Sequence, residues 1–175
     1  MSTDLKSDEL RLGWADDPQL AAPIAEFFCA HADAEYISHS ELQEARAIAP
    51  GVWNPDLRSI MHAQASKILA RPAIDGTADA IACAWLDGEL AGMALVSFGG
   101  SGEGRRFAVL DDMVVSPAVR GRGLGRQFIE WIAARAGEFG ARRLFLESGV
   151  GNDSAHRFFE RAGFRQTSIV MMRDL

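Results

Sequence analysis

The chain reads as an α+β protein with a mixed, mostly antiparallel central sheet flanked by helices. Three observations predict this. Two apolar runs, residues 81–86 and 89–98, are joined by Asp87-Gly88, a dipeptide suited to the left-handed backbone of a tight hairpin. A third apolar, β-branched run covers residues 107–115 after a Gly/Ser-rich turn at 99–104. From there the pattern becomes strand, helix, strand, helix, strand, and a helical crossover makes the strands it joins parallel.

The elements follow in order. Leu10-Arg11-Leu12-Gly13-Trp14 is a short strand, and Asp17-Pro18 opens a helix through Phe27, with proline where its missing N–H is harmless. Residues 33–53 form the least regular stretch, a long connection of a kind that is more often functional than idle. Asn54-Pro55-Asp56 caps a helix whose Leu57, Ile60, Met61, Ile68 and Leu69 recur at helical spacing before Arg71-Pro72 stops it. After the three sheet runs, Leu124, Phe128, Trp131, Ile132, Ala136 and Phe139 mark a helix over 123–139. Residues 143–148 read as a strand, 149–153 as a turn and 154–162 as a helix stopped by Gly163, with a final strand beyond.

At 175 residues, 48% apolar and 24% charged, the composition is that of one globular domain spanning 1–175. The N-terminus is polar without an apolar signal core, and no run is long enough to span a bilayer, so a cytoplasmic protein without membrane partners is expected. Cys29 and Cys83 sit in apolar segments without a CxxC partner and read as core residues. A net charge of −6 argues against nucleic-acid binding and suits a cationic substrate, although plain solubility explains it equally well. His31, His39 and His62 lack metal-ligand spacing, and no metal is expected.

Chemistry concentrates at Ser116-Pro117-Ala118-Val119-Arg120-Gly121-Arg122-Gly123-Leu124-Gly125-Arg126. Glycines at the mouth of a helix let backbone N–H groups converge on an anion, aided by the helix dipole and here by Arg120, Arg122 and Arg126. The P-loop needs GxxxxGK followed by Ser or Thr, and no glycine here precedes lysine; the dinucleotide fingerprint needs Gly at 126, where this chain has Arg. The residues alone leave an ordinary glycine-rich turn open. The spacing Arg120-x-x-Gly123-x-Gly125, however, resembles the signature of the GNAT superfamily of acetyl-CoA-dependent N-acetyltransferases. A second block, Asn152-x-x-Ala155-x-x-Phe158-Phe159-Glu160-Arg161-x-Gly163-Phe164, resembles the second cofactor motif of that superfamily.

The resemblance implies a GNAT-like fold whose two parallel strands splay apart to admit a thioester. It implies acetyl-CoA as cosubstrate, held by Met113, Val114 and Val115, by Arg120, Gly121, Arg122, Gly123, Leu124, Gly125 and Arg126, and by Asn152, which also suits a helix cap. Acetyl transfer needs a neutral amine, whose unperturbed pKa is about 10.4, so a base must take a proton. Leu110-Asp111-Asp112-Met113 resembles the acidic pair of small-amine acetyltransferases, with Asp111 implied as base through a water and Asp112 as amine anchor. Neighbouring strand residues point to opposite faces, and pairing with Arg105, Arg106 or Arg143 is the alternative for one of them. Glu147 is a rival on the facing strand, or a surface decoration. Tyr36 and Glu147 are candidate acceptor contacts, together with Asp112.

One departure stands out. Seven residues after Asn152, where the family usually places a tyrosine that protonates the departing thiolate, this chain has Phe159. Water, Ser148, Ser154 or Tyr36, the chain's one tyrosine, are the substitutes in view. The function expected is therefore an N-acetyltransferase acting on a primary amine of a small molecule or peptide. A non-catalytic acetyl-CoA-binding or regulatory domain is the alternative, and a homodimer is compatible with either.

Overall fold

Asp87 and Gly88 both take positive φ, 52° and 86°, the backbone a two-residue turn needs, and they join β4 (Ala80–Leu86) to β5 (Glu89–Gly99). In the computed structural model, which describes residues 9–71, 74–102 and 104–175, this hairpin is the centre of a five-stranded sheet. The N-terminal polar stretch 1–8, the helix stop read at Pro72, and Glu103 of the Gly/Ser-rich turn lie outside the described residues. Strand β1 (Leu10–Trp14) pairs antiparallel with β4, and β6 (Phe107–Val115) antiparallel with β5. Strand β7 (Leu144–Leu146) is parallel to β6, giving the order β1-β4-β5-β6-β7. The mixed sheet expected from the sequence is thus present.

Both faces are covered, which explains why β4 and β5 read as continuous apolar runs. On one face, Ile81, Cys83, Met93 and Leu95 pack with Ile24 and Phe28 of α1 (Ala21–His31) and Met61 and Ala65 of α3 (Leu57–Leu69). On the other, Ala82, Ala84, Ala94 and Val96 meet Phe128, Ile129 and Ile132 of α4 (Leu124–Glu138). Small residues on this second face let the helix come close: a Cβ at Gly92 would stand 3.4 Å from the Phe128 ring. Phe128 is fully buried, which is worth about 1.5–3 kcal/mol for a side chain of its size. Cys83 is buried and Cys29 half-buried, both as free thiols.

Three expectations change. The first helix begins as a short 3₁₀ turn, Pro18–Leu20, capped by the Asp17 carboxylate on Gln19 N–H at 2.9 Å, before α1 proper. Residues 33–53 are built rather than irregular. They hold a 3₁₀ turn at Ala34–Tyr36, the short helix α2 (His39–Gln43) and a hairpin of β2 (Ala47–Ala49) with β3 (Val52–Trp53). Third, no strand follows α5 (Asp153–Arg161): beyond Gly163 and the half-buried Phe164, residues 165–175 carry no regular structure and are exposed, Ile169 and Met171 included. A β-prone run becomes a strand only when a neighbour accepts its hydrogen bonds, and none does so here among the described residues.

Candidate active site

The site begins with a defect in the sheet. In β5–β6 pairing Ala94 faces Met113 and Leu95 faces Asp112, but Val96 faces Leu110, so Asp111 is the extra residue of a β-bulge. The bulge resets which side chains face which layer. Ala108 and Leu110 pack toward α4, whereas beyond Asp111 it is Met113 and Val115 that do so, and Val114 joins the α1/α3 core. The register along β6 shifts at this extra residue, and of the pair only Asp111 lines the cleft, as the expected opposition of neighbours requires.

At the same level β6 and β7 part. Their parallel pairing covers Ala108 with Leu144, Val109 with Phe145 and Leu110 with Leu146, and no further. From Asp111 and Glu147 onward the strands border a cleft of about 600 Å³. That is a normal size for a ligand pocket. Loop 147–151 closes against the segment before α2 so tightly that a Cβ on Gly149 would overlap the Glu35 carbonyl oxygen and approach that of Ile37 to 2.6 Å.

One end of the cleft is made of backbone. Gly121 and Gly123 have φ of 78° and 76°, a region L side chains rarely adopt, and they bring the chain round into α4. The first helical bond runs from Gln127 N–H to the Gly123 carbonyl, so the amides of residues 123–126 precede it, and the N-cap, Gly123, has no side chain to cap them. Gly123, Leu124, Gly125 and Arg126 line the cleft with Arg120 and Gly121, and Arg161 of α5 joins them. Arg126 also pairs with Glu130 at 2.8 Å on the exposed helix surface. Arg122 is exposed on the same turn and does not line the cleft. Donor-rich backbone beside arginines is the chemistry a diphosphate needs. A side chain at either positive-φ glycine would strain this turn, so the residues present fit the coenzyme.

The walls follow β6 and α5. Met113, Val114 and Val115 line the cleft, and residues two apart on a strand direct their backbone groups to the same edge. The Met113 N–H donates to the Tyr36 hydroxyl at 3.1 Å, so it is engaged within the protein. Asn152 lines the cleft while its side-chain oxygen caps α5, accepting from Ala155 N–H at 3.1 Å. Both roles foreseen for it are geometrically compatible. Phe159 lines the cleft half-buried, edge-on to Phe158 at 5.1 Å and Phe164 at 5.6 Å between ring centroids.

The other end is acidic and made of side chains. Asp111 retains solvent exposure on the bulge and lines the cleft. Its carboxyl is raised to about 6, first by desolvation within the cleft, with Asp79 and Glu44 adding repulsion and the Ser97 hydroxyl and Arg46 opposing. Glu147 also lines the cleft, which corrects its reading as surface decoration. It accepts from the Ser38 hydroxyl at 2.6 Å and Ser40 N–H at 3.1 Å and pairs with His39 Nδ1 at 2.7 Å. Desolvation works against its charge, but these partners prevail and hold its carboxyl below the usual range.

Asp112 lies where an amine anchor would be useless. Its side chain is buried and absent from the cleft lining, and the fork of Arg46 grips it at 2.7 and 2.6 Å. Tyr36 donates to it at 2.8 Å. Burial pushes the Asp112 carboxyl up, while Arg46 and Tyr36 pull it back. The expected arginine pairing is correct in kind but not in partner: Arg46 takes the carboxylate, not Arg105, Arg106 or Arg143. Tyr36 does line the cleft, yet its only proton is committed to Asp112. Burial and the Asp112 charge both raise its pKa, so it is a poor substitute for the acid missing at position 159.

Sequence reasoning missed Arg46 and Ser38, whereas Glu41 and His39 belong to the 33–53 segment that it expected to line the acceptor side. Ser38 and Glu41 carried a readable signal, the S-x-x-E spacing of a capping box, and the Ser38 N–H does donate to Glu41 at 2.7 Å. Arg46 carried only a faint one, an arginine next to the apolar Ala47-Ile48-Ala49. Among the described residues, no helix is long and apolar enough to cross a membrane.

Residues 40–164 match the Acetyltransferase (GNAT) family, and the chain belongs to it. Among curated relatives, the streptothricin acetyltransferase of Streptomyces lavendulae is 40% identical over 78 residues, 45% of this chain and 40% of that protein. The aminoalkylphosphonate N-acetyltransferase of Salmonella typhimurium strain LT2 is 33% identical over 58 residues, 33% of this chain and 38% of that protein. The matches thus span about two-fifths of these relatives' length. Among solved structures, the aminoglycoside N-acetyltransferase AAC(6')-Iy in complex with CoA superposes with a TM-score of 0.68 at 15% identity, covering 98% of this chain and 97% of that one. The aminoglycoside 6'-N-acetyltransferase AAC(6')-Ih from Acinetobacter baumannii gives 0.68 at 13% identity, covering 95% and 98%. At such identities these structures support the fold alone.

Proposed function

We propose that the protein transfers the acetyl group of acetyl-CoA to a primary amine of a small molecule or peptide by direct attack. The observation that carries this reading is the polarity of one cleft: a backbone-amide and arginine end, and a carboxylate end at Asp111, joined along the strands that part. Asp111 precedes Val115 by four residues, about 13 Å of strand, room for an extended pantetheine-like arm between the two ends. Names of relatives that act on an aminoalkylphosphonate and on streptothricin support an amine acceptor.

Acetyl-CoA supplies an activated thioester when bound. The amides of residues 123–126, with Arg120 and Arg126, hold its diphosphate. Met113, Val114 and Val115 flank the arm, the Val115 backbone and the Asn152 amide orienting it. Asp111 removes a proton from the incoming ammonium, directly or through a water, and its raised pKa of about 6 suits a base working near neutrality. Glu147 with Ser38 and His39 forms the acceptor wall. Asp112 we reassign from anchor to buried support. A thiol of pKa about 8.5 leaves tolerably without an acid, so Phe159 slows the reaction without forbidding it. Dependence on acetyl-CoA would place the reaction in the cytoplasm.

Phe159 also favours a second reading, a domain on this fold that binds acetyl-CoA without turnover. Release of free thiol across a panel of diamines, aminoglycosides, aminoalkylphosphonates and short peptides separates the two. Amine-dependent release matched by acetylated product supports transfer; tight acetyl-CoA binding without release from any of them supports the second.

A further inference from the structure

We propose that Arg46 is a positioning residue for the acceptor end of the cleft, drawing Asp112 inward so that the bulge turns its neighbour Asp111 out toward the amine. The inference rests on the transferase reading above and extends it to a residue that never touches substrate.

The geometry is that of a clamp. Arg46 is 4% exposed and lies immediately before β2, in a segment distant in sequence from β6. Its backbone is pinned by the β2–β3 hairpin: the Arg46 carbonyl accepts from Asn54 N–H at 2.9 Å, and the Ala45 carbonyl from the Asn54 side chain at 2.7 Å. Its guanidinium reaches Asp112 with both terminal nitrogens and Glu41 with one of them at 2.9 Å, while its Nε has no hydrogen-bond partner among the described residues. Below it lies the Phe28 ring, 5.2 Å from the guanidinium carbon, and Phe28 in turn packs edge-on against Tyr36.

Three consequences meet at the bulge. A buried carboxylate gripped by both arms of a fork has one orientation, and on the next residue back the chain must absorb the extra length. Tyr36, donating to the same carboxylate, accepts the Met113 N–H and so fastens the strand on the far side of the bulge. Asp111 is then the one acidic residue of the pair left facing the cleft. A buried ion pair is an expensive way to gain stability, since its desolvation offsets much of its attraction. Fixing the register of a functional carboxylate is a use for which that geometry is well suited.

The test is a double-mutant cycle with Arg46→Lys, which keeps the charge and loses the fork. Expected are at least a tenfold fall in kcat/KM for the amine, acetyl-CoA Kd within about twofold of wild type, and no further loss when Arg46→Lys is added to Asp111→Asn. Wild-type amine turnover in Arg46→Lys, or a loss that multiplies with that of Asp111→Asn, overturns the proposal. If Arg46→Lys fails to fold, the apolar pair Arg46→Met/Asp112→Leu, of the kind that keeps stability in other buried ion pairs, is carried through the same cycle with the same criteria. A readout independent of turnover accompanies it: the Met113 amide should exchange with solvent at least tenfold faster in the clamp variant while β4 amides keep their rates, and unchanged Met113 protection overturns the clamp even if no amine proves to be an acceptor. Absence of thiol release from wild type would instead count against the transferase reading alone.

Discussion

The two ends of the cleft are built by opposite means. At the glycine turn, contiguous residues 120–126 supply nearly everything, through backbone amides whose direction follows from local φ and ψ. At the acidic end, Tyr36, Ser38, Glu41, Arg46, Asp112 and Glu147 are brought together across separations of up to 109 residues, and side-chain hydrogen bonds do the positioning. The first end rests on its glycines and backbone amides, with Arg120 and Arg126 beside them and Leu124 anchoring the turn in the core. The second depends on the identity of each group, because burial removes the water that would otherwise substitute for a lost partner. On the proposed function, anion binding is a property of chain geometry here, and acceptor chemistry a property of tertiary packing.

The largest effect expected falls on the acidic end. Asp111→Asn should lower kcat/KM by about 10²–10⁴-fold, the usual worth of a general base, with acetyl-CoA Kd nearly unchanged in calorimetry. In wild type, the base works only when ionised. With a pKa of about 6, kcat/KM should fall tenfold per pH unit below about pH 6 and level off above it, and Asp111→Asn should lose that limb. A flat acidic limb in wild type would break the assignment.

At the opposite end, Gly123→Asp should raise acetyl-CoA Kd by about 10²-fold or more. It forces an L side chain into φ of 76° and sets a carboxylate against diphosphate. The contrast between the ends predicts that this variant keeps the acceptor-side network, so a folded protein by circular dichroism with unchanged coenzyme affinity would end the cradle interpretation.

Glu147→Gln is intermediate. It keeps the hydrogen-bonding shape toward Ser38 and Ser40 but removes the charge facing His39, so the amine KM should rise by about three- to tenfold with little change in coenzyme binding. If instead Glu147→Gln abolishes turnover and Asp111→Asn does not, the base is Glu147, just beyond β7.

The smallest effect is expected from Phe159→Tyr, a change of a few-fold in single-turnover rate. Phe159 lines the cleft, and a rise would mean that the ring position suits a proton donor and lacks only the hydroxyl. A fall with acetyl-CoA affinity retained would mean that the hydroxyl is trapped unsatisfied against Phe158 and Phe164.

The sequence alone determined the mixed sheet, the Asp87-Gly88 hairpin, the helix it read over 123–139 and the glycine turn that feeds it, because each is encoded by neighbours: apolar period, turn residues, caps. Asp111 and Asn152 entered only through the resemblance of their surroundings to family motifs. The residues themselves could not separate Asp111 from Asp112, since alternation sets neighbours on opposite faces without saying which face borders the cleft. The choice between cleft and core was made by Arg46 and Tyr36, residues whose own positions depend on the hairpin at 47–53 and on the Phe28 ring beneath them. Likewise, the apolar run at 169–172 encodes a strand's preference but not a strand, because a sheet's hydrogen bonds require a second segment that no local pattern specifies. Local conformational preference is written in adjacent residues; the pairing of buried charges is decided only when the chain closes on itself.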